Sequence, residues 1–199
     1  MASFLAVEAV SDALVLLLRA AYDRDDFDDI DLQFEVYAAA DFEAPMAAGV
    51  SVYLYRARPN GAWRIPPGRV EADGRRQRRQ LPVDLHYLLS VWGRDASVQH
   101  RVLGWLLRTF EDTPVLPRPL LEAAAPGVFR PDEAVEFVLN TDLSNEDLFR
   151  LWETATSERY RLSVPYIARQ VLLESRLTDV EGAPVEVREF TLDTEAADA

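Results

Sequence analysis

The residues best placed to do chemistry are Asp84 and His86, which stand two apart in the apolar segment 81–92. In a strand these two side chains lie on the same face, and a carboxylate can then orient an imidazole for proton transfer. A hydrolase would also need a nucleophile, yet the chain has no cysteine and no serine in a Gly-x-Ser-x-Gly turn. The pair is therefore interpreted as polar residues on a half-buried face or at an interface.

A second candidate is an arginine run within residues 58–80, a stretch that is otherwise rich in proline and glycine and contains Trp63. The run consists of Arg75, Arg76, Arg78 and Arg79. Arginine suits bidentate contacts to phosphate, which leaves a nucleic-acid-binding module open. However, the chain carries a net charge of −13, and an acidic chain repels nucleic acid at long range. An acidic protein partner fits better, and residues 58–80 are predicted to form a projecting arm.

Neither a metal nor another cofactor is predicted. The aspartates of residues 23–29 invite a calcium interpretation, but the segment lacks the glycine and the final glutamate of an EF-hand loop. With two histidines and no cysteine, a zinc site would require carboxylates at spacings that the chain does not offer.

Hydrophobic periodicity predicts the elements that must position these residues. Residues 81–92 alternate strictly, as expected for a strand with one buried face, and the following residues repeat at helical spacing. The predicted fold class is α+β, with a mixed and mainly antiparallel sheet covered by about three helices. Strands are predicted near 30–37, 49–57, 81–92, 134–140, 160–173 and 184–191, and helices at 4–21, 96–111 and 145–156.

Three details of this prediction can be tested separately. Leu85, Tyr87 and Trp105 are predicted to form the core between the long strand and the helix that follows it. Ser144 is predicted to cap the helix near 145–156. Pro165 predicts an edge strand or a bulge within residues 160–173, because proline cannot donate a ladder hydrogen bond.

Length and composition favour one domain. The 199 residues are 49% hydrophobic, which is sufficient for a core, and residues 1–176 are predicted to form it. Residues 177–199 are predicted to be an extended strand and an acidic tail. The candidate contacts there are Val185, Val187 and Arg188, on a strand donated to a neighbour or paired with residues 167–176. No membrane contact is expected, since the apolar run 14–18 is far too short to span a bilayer.

The order of features along nearly the whole chain, residues 4–175, resembles the cap or tail-terminator family of phage-tail-like contractile injection systems. The most specific piece is Leu-Pro-x-Asp-Leu-His-Tyr-Leu-Leu at 81–89. The other matching pieces are the opening helix, 50–55, Pro59-Asn60, the proline- and arginine-rich loop, 112–116, 148–152 and 160–164.

This resemblance implies a structural protein without enzymatic activity. Six copies would form a ring on the baseplate-distal end of the inner tube, terminate tube growth and anchor the last sheath ring. Its partners would be its own copies together with the tube and sheath proteins, and neither nucleic acid nor membrane. Assembly would be cytoplasmic, in a particle that is then released. The alternatives are a small soluble enzyme and a nucleic-acid-binding module that uses the arginine-rich loop.

Overall fold

The computed structural model describes residues 4–61, 76–155, 160–175 and 177–179, which form a six-stranded sheet with helices on both faces. The helices of these residues are α1 (Ala6–Ala21), α2 (Ala96–Asp112), α3 (Arg118–Ala124) and α4 (Asn145–Ala155). The strands are β1 (Gln33–Tyr37), β2 (Gly49–Pro59), β3 (Arg76–Gln77), β4 (Leu81–Trp92), β5 (Val115–Leu116), β6 (Val135–Leu139), β7 (Ser163–Leu173) and β8 (Thr178–Asp179). The predicted strand 184–191 lies outside the described residues.

The sheet is mixed and mainly antiparallel, in the order β1-β2-β4-β7-β6-β5. Only the β1–β2 pair is parallel, whereas β4 pairs antiparallel with both β2 and β7 at the centre of the sheet. The α+β prediction is thus confirmed, and the bounds predicted for the central strand match β4 (Leu81–Trp92). Outside this sheet, β3 and β8 pair antiparallel with each other.

The main hydrophobic core lies between the sheet and helices α1, α2 and α3. Leu85 and Tyr87 are both 0% exposed, as predicted, and the Tyr87 hydroxyl lies 2.9 Å from Ser11 Oγ on α1. Trp105 is only partly buried. It packs against the rings of Phe27 and Phe34, and it therefore contacts the β1 side of the core rather than its centre.

A second, smaller cluster covers the opposite face of the sheet. Its buried members are Tyr37, Phe42, Leu88, Trp92, Leu148 and Trp152. The Trp92 and Trp152 indoles donate hydrogen bonds of 2.9 and 3.0 Å to Ser51 and Ser163 on the sheet. Helix α4, which supplies Leu148 and Trp152, is capped as predicted: Asp147 N–H donates to Ser144 Oγ at 3.1 Å. The buried Trp152 indole, satisfied in this way, holds α4 against the strands.

Pro165 corrects one expectation, because β7 is an internal strand between β4 and β6. Pro165 pairs with Leu88 on one side. On the other side its carbonyl accepts a 2.9 Å hydrogen bond from the backbone of Asn140, one residue beyond the end of β6. The missing N–H of the proline therefore falls where the neighbouring strand has ended, and the proline costs the sheet little. The bulge in β7 lies further along the strand, near Gln170.

One glycine is required by the parallel pair. Gly49 begins β2 opposite Gln33 with φ +142°, and a Cβ atom placed there would lie 1.9 Å from the Gln33 carbonyl oxygen. Only glycine allows both this backbone conformation and this close approach of two strands.

Candidate interaction site at the end of the central strands

Of the predicted site residues that the structure describes, Asp84, Arg78 and Arg79 lie at the end of the sheet where β2 ends and β4 begins. Asp84 pairs with Arg58 near the end of β2, and its Oδ2 accepts a 3.0 Å hydrogen bond from Asn60 Nδ2. Its Oδ1 accepts a 2.9 Å hydrogen bond from the backbone N–H of Gln170. One carboxylate thus joins three segments at the point where the chain leaves β2 for the predicted arm.

Gln170 shows why β7 needs this carboxylate. Its φ is +57°, in the left-handed region that costs a side-chain-bearing residue about 1–2 kcal/mol. The β4–β7 register shifts between Val83 and Leu85, so two residues of β7 oppose Asp84. A bulge of this kind leaves a backbone N–H without its ladder partner, and Asp84 supplies the acceptor.

The arginine run is described only in part. Arg78 and Arg79 are exposed beside the start of β4, and Arg76 contributes its backbone to β3. The other predicted contact residues lie outside the described residues: Trp63, Arg75, Val185, Val187 and Arg188.

His86 lies on the same face as Asp84 but in different contacts. Its ring packs at 5.9 Å from that of Tyr55, and Nδ1 lies 3.5 Å from the Asn140 amide nitrogen. Burial, followed by the nearby Arg56, lowers the pKa of His86, and Asp84 only partly opposes this effect. With both Asp84 oxygens engaged elsewhere, this arrangement favours a structural pair over a proton-transfer dyad.

Sequence reasoning missed a largely buried charge cluster beside this end of the sheet. We call it the clasp, and it consists of Gln80, Arg130, Glu133 and Glu174. Arg130 forms an ion pair with Glu174, its Nε lies 4.0 Å from Glu133, and the three side chains are 15%, 6% and 9% exposed, respectively. Gln80 Nε2 donates to Glu174 Oε1 at 3.0 Å and lies 3.5 Å from Glu133 Oε1.

The clasp places two carboxylates around one guanidinium. Burial raises the pKa of Glu133, and the neighbouring Glu174 raises it further, while the backbone N–H and the charge of Arg130 oppose the shift. No sequence signal marks these four residues, because Gln80, the Arg130–Glu133 segment and Glu174 come from three separate parts of the chain that meet only in the folded sheet.

The acidic segment before β1 is held by arginines. Arg101 on α2 donates to Asp28 Oδ2 at 2.6 Å, and the Arg24 side chain donates to the Asp29 carbonyl oxygen. Within the described ranges, no group of three or more histidine, aspartate or glutamate side chains is arranged to hold a metal ion.

Among the residues that the structure describes, no helix is both long and apolar enough to cross a bilayer. The family model of the Pvc16 N-terminal domain matches residues 9–187, and the chain belongs to this family. No curated protein matches the chain.

Two solved structures share the fold. One is the sheath/tube terminator, in its extended state, of PVC, an extracellular contractile injection system. It has 19% identity and a TM-score of 0.63 over 97% of this chain and 65% of that one. The other is the tube-terminating cap of the anti-feeding prophage, with 20% identity and a TM-score of 0.60 over 92% of this chain and 60% of that one. The chain therefore spans less than two thirds of either protein. The resemblance predicted from the sequence is confirmed.

Proposed function

We propose that this protein is the structural cap of a contractile injection system. It forms a ring on the baseplate-distal end of the inner tube, ends tube growth and anchors the last sheath ring. The observation that carries this proposal is the match of residues 9–187 to the Pvc16 N-terminal domain family. The shared fold with a sheath/tube terminator and a tube-terminating cap supports it.

The described geometry also favours a structural role over the two alternatives. Asp84, the first residue of the suspected catalytic pair, is engaged by Asn60 and Gln170. The clasp lies near the exposed Arg78 and Arg79, and it contains two carboxylates and one arginine. This charge balance does not extend a basic surface for nucleic acid. We therefore assign the protein no enzymatic activity, and we propose that its partners are its own copies, the tube and the sheath.

Electron microscopy of particles from a strain that lacks this protein tests the function directly. We expect tubes of irregular length and sheaths that detach from the distal end, and plasmid-borne protein should restore uniform particles. Particles of normal length and yield without the protein would overturn the proposal. Native mass spectrometry of the purified protein tests the ring, for which we expect a hexamer.

We propose that the arm, residues 58–80, contacts an acidic partner surface in this assembly. Replacing Arg75, Arg76, Arg78 and Arg79 with Ser should reduce capping, and capping by the wild type should weaken with salt. The matched control replaces four exposed arginines that form surface ion pairs: Arg24, Arg94, Arg108 and Arg150. It removes the same charge, so equal capping by both variants would exclude a specific role of the arm.

A further inference from the structure

The last residues of the arm, 76–80, lie beside the first residues of the C-terminal extension, the name used here for residues 177–199. Leu81 of β4 pairs with Leu173 of β7, and beyond them Gln77 of β3 pairs with Thr178 of β8. The β3–β8 pair thus continues the central β4–β7 pair past the end of β2, which pairs only as far as Val83. The two segments leave the sheet as one two-stranded ribbon.

The ladder is interrupted between these two pairs. Pairing stops at Leu81 and Leu173 and resumes at Gln77 and Thr178, so β8 carries one more residue than β3 across the gap. A two-residue pair with such an interruption has little cooperativity of its own. Another contact must hold the ribbon together at this point.

The clasp bridges this gap. Gln80 lies on the arm side and Glu174 on the tail side, and their side chains form a hydrogen bond of 3.0 Å. Arg130 and Glu133, from the segment before β6, pair with them and tie both to the body of the protein. A buried charged group that loses its partner is costly, so the cluster resists separation of the two strands.

We infer that the clasp couples the last residues of the arm, 76–80, to the first residues of the C-terminal extension, 177–179, so that these two segments open together. Opening of either segment then removes protection from the other, because coupling between two sites is reciprocal. This inference rests on the proposed function only for its use in assembly, where one joint would transmit load from both segments to β4 and β7.

Hydrogen exchange on the isolated full-length chain tests the coupling. The first variant, Gln80→Ala, changes the arm side. It should accelerate exchange of residues 177–179 about tenfold, as well as that of residues 76–80. Tenfold corresponds to about 1.4 kcal/mol, within reach of a hydrogen bond to a charged group. The matched control is Gln99→Ala, which removes a 2.9 Å side-chain hydrogen bond to the Gly93 carbonyl near α2 and should leave both segments unchanged.

The second variant stops the chain after residue 176 and so removes β8. It should accelerate residues 76–80 to a similar extent while residues 85–91 of β4 stay protected. Unchanged exchange of 76–80 in the truncated chain would overturn the inference, as would a Gln80→Ala effect confined to the arm. If Gln80→Ala also accelerates hydrogen exchange of residues 85–91, this variant has loosened β4 itself, and the result for the truncated chain then decides. These measurements need no particle, so their outcome is independent of whether the protein caps a tube.

Discussion

Replacing Asp84 tests whether the most characteristic segment of the chain serves architecture or chemistry. Asp84→Ala removes the acceptor of two hydrogen bonds, of 3.0 Å from Asn60 and 2.9 Å from Gln170. Hydrogen bonds to charged groups contribute about 1.5–3 kcal/mol each when their partners are buried. Gln170 is exposed, so water can replace part of its loss. We therefore expect a total of about 2 kcal/mol, which lowers the melting temperature by about 4–8 °C.

Asp84→Asn provides the graded comparison. The amide keeps one acceptor oxygen but places its NH2 group against a second donor, so one of the two hydrogen bonds is lost in either orientation. We expect about half the cost of the alanine variant. Urea unfolding followed by tryptophan fluorescence measures both, with the exposed Asp31→Ala as the matched control, expected within about 0.5 kcal/mol of the wild type. A loss in Asp84→Ala no larger than that of the control would refute the bracing role, as would equal losses in both Asp84 variants.

The remaining predictions concern the core, the parallel strand pair and the clasp. Leu85→Ala, at a position that is 0% exposed, should cost about 2–5 kcal/mol in urea unfolding, and a loss below about 1 kcal/mol would contradict its place in the core. Gly49→Ala should prevent stable folding because its Cβ would meet a backbone oxygen of β1 at 1.9 Å, whereas Gly104→Ala, in open space on α2, should stabilise by about 0.5–1 kcal/mol; similar circular dichroism melts for the two would count against this reading. Because burial raises the pKa of Glu133 above 4.5, its charged form costs stability as pH rises through the raised pKa. Glu133→Gln should therefore be more stable than the wild type at pH 7, with the advantage gone below pH 4.5, and a constant difference across this range would contradict the assignment.

The parts of the fold that follow from local patterns were predictable. Strict alternation over 81–92 matches β4 because every second side chain from Val83 to Val91 enters the main core. The Ser144 cap was equally readable, since capping depends on residues three positions apart. Helix α1 begins at Ala6 rather than at residue 4, a difference at a helix end that local signals do not fix.

Features that depend on which strands become neighbours were not predictable. Pro165 indicated an edge strand or a bulge. Strand β7 does contain a bulge, but Pro165 itself is tolerated inside the sheet because β6 ends beside it, and no local signal contains that information. The short strand β5 was missed because two residues carry no periodicity. The clasp was missed for the same reason as the strand order, since its three segments become neighbours only through the pairing of β4, β7 and β6.

The segment 81–89 shows how one motif can suggest catalysis and yet be explained by structure. Leu85 and Tyr87 point into the main core, and these positions account for the apolar alternation. On the other face, Asp84 accepts hydrogen bonds from the end of β2 and from the bulge of β7, while His86 packs on Tyr55. Asp84 thus stabilises the bulge of β7, and Tyr55, on which His86 packs, lies where the β2–β4 register shifts. Asp84 and His86 therefore support the end and the bulge of neighbouring strands, and this role requires polar and aromatic contacts but no reactive group.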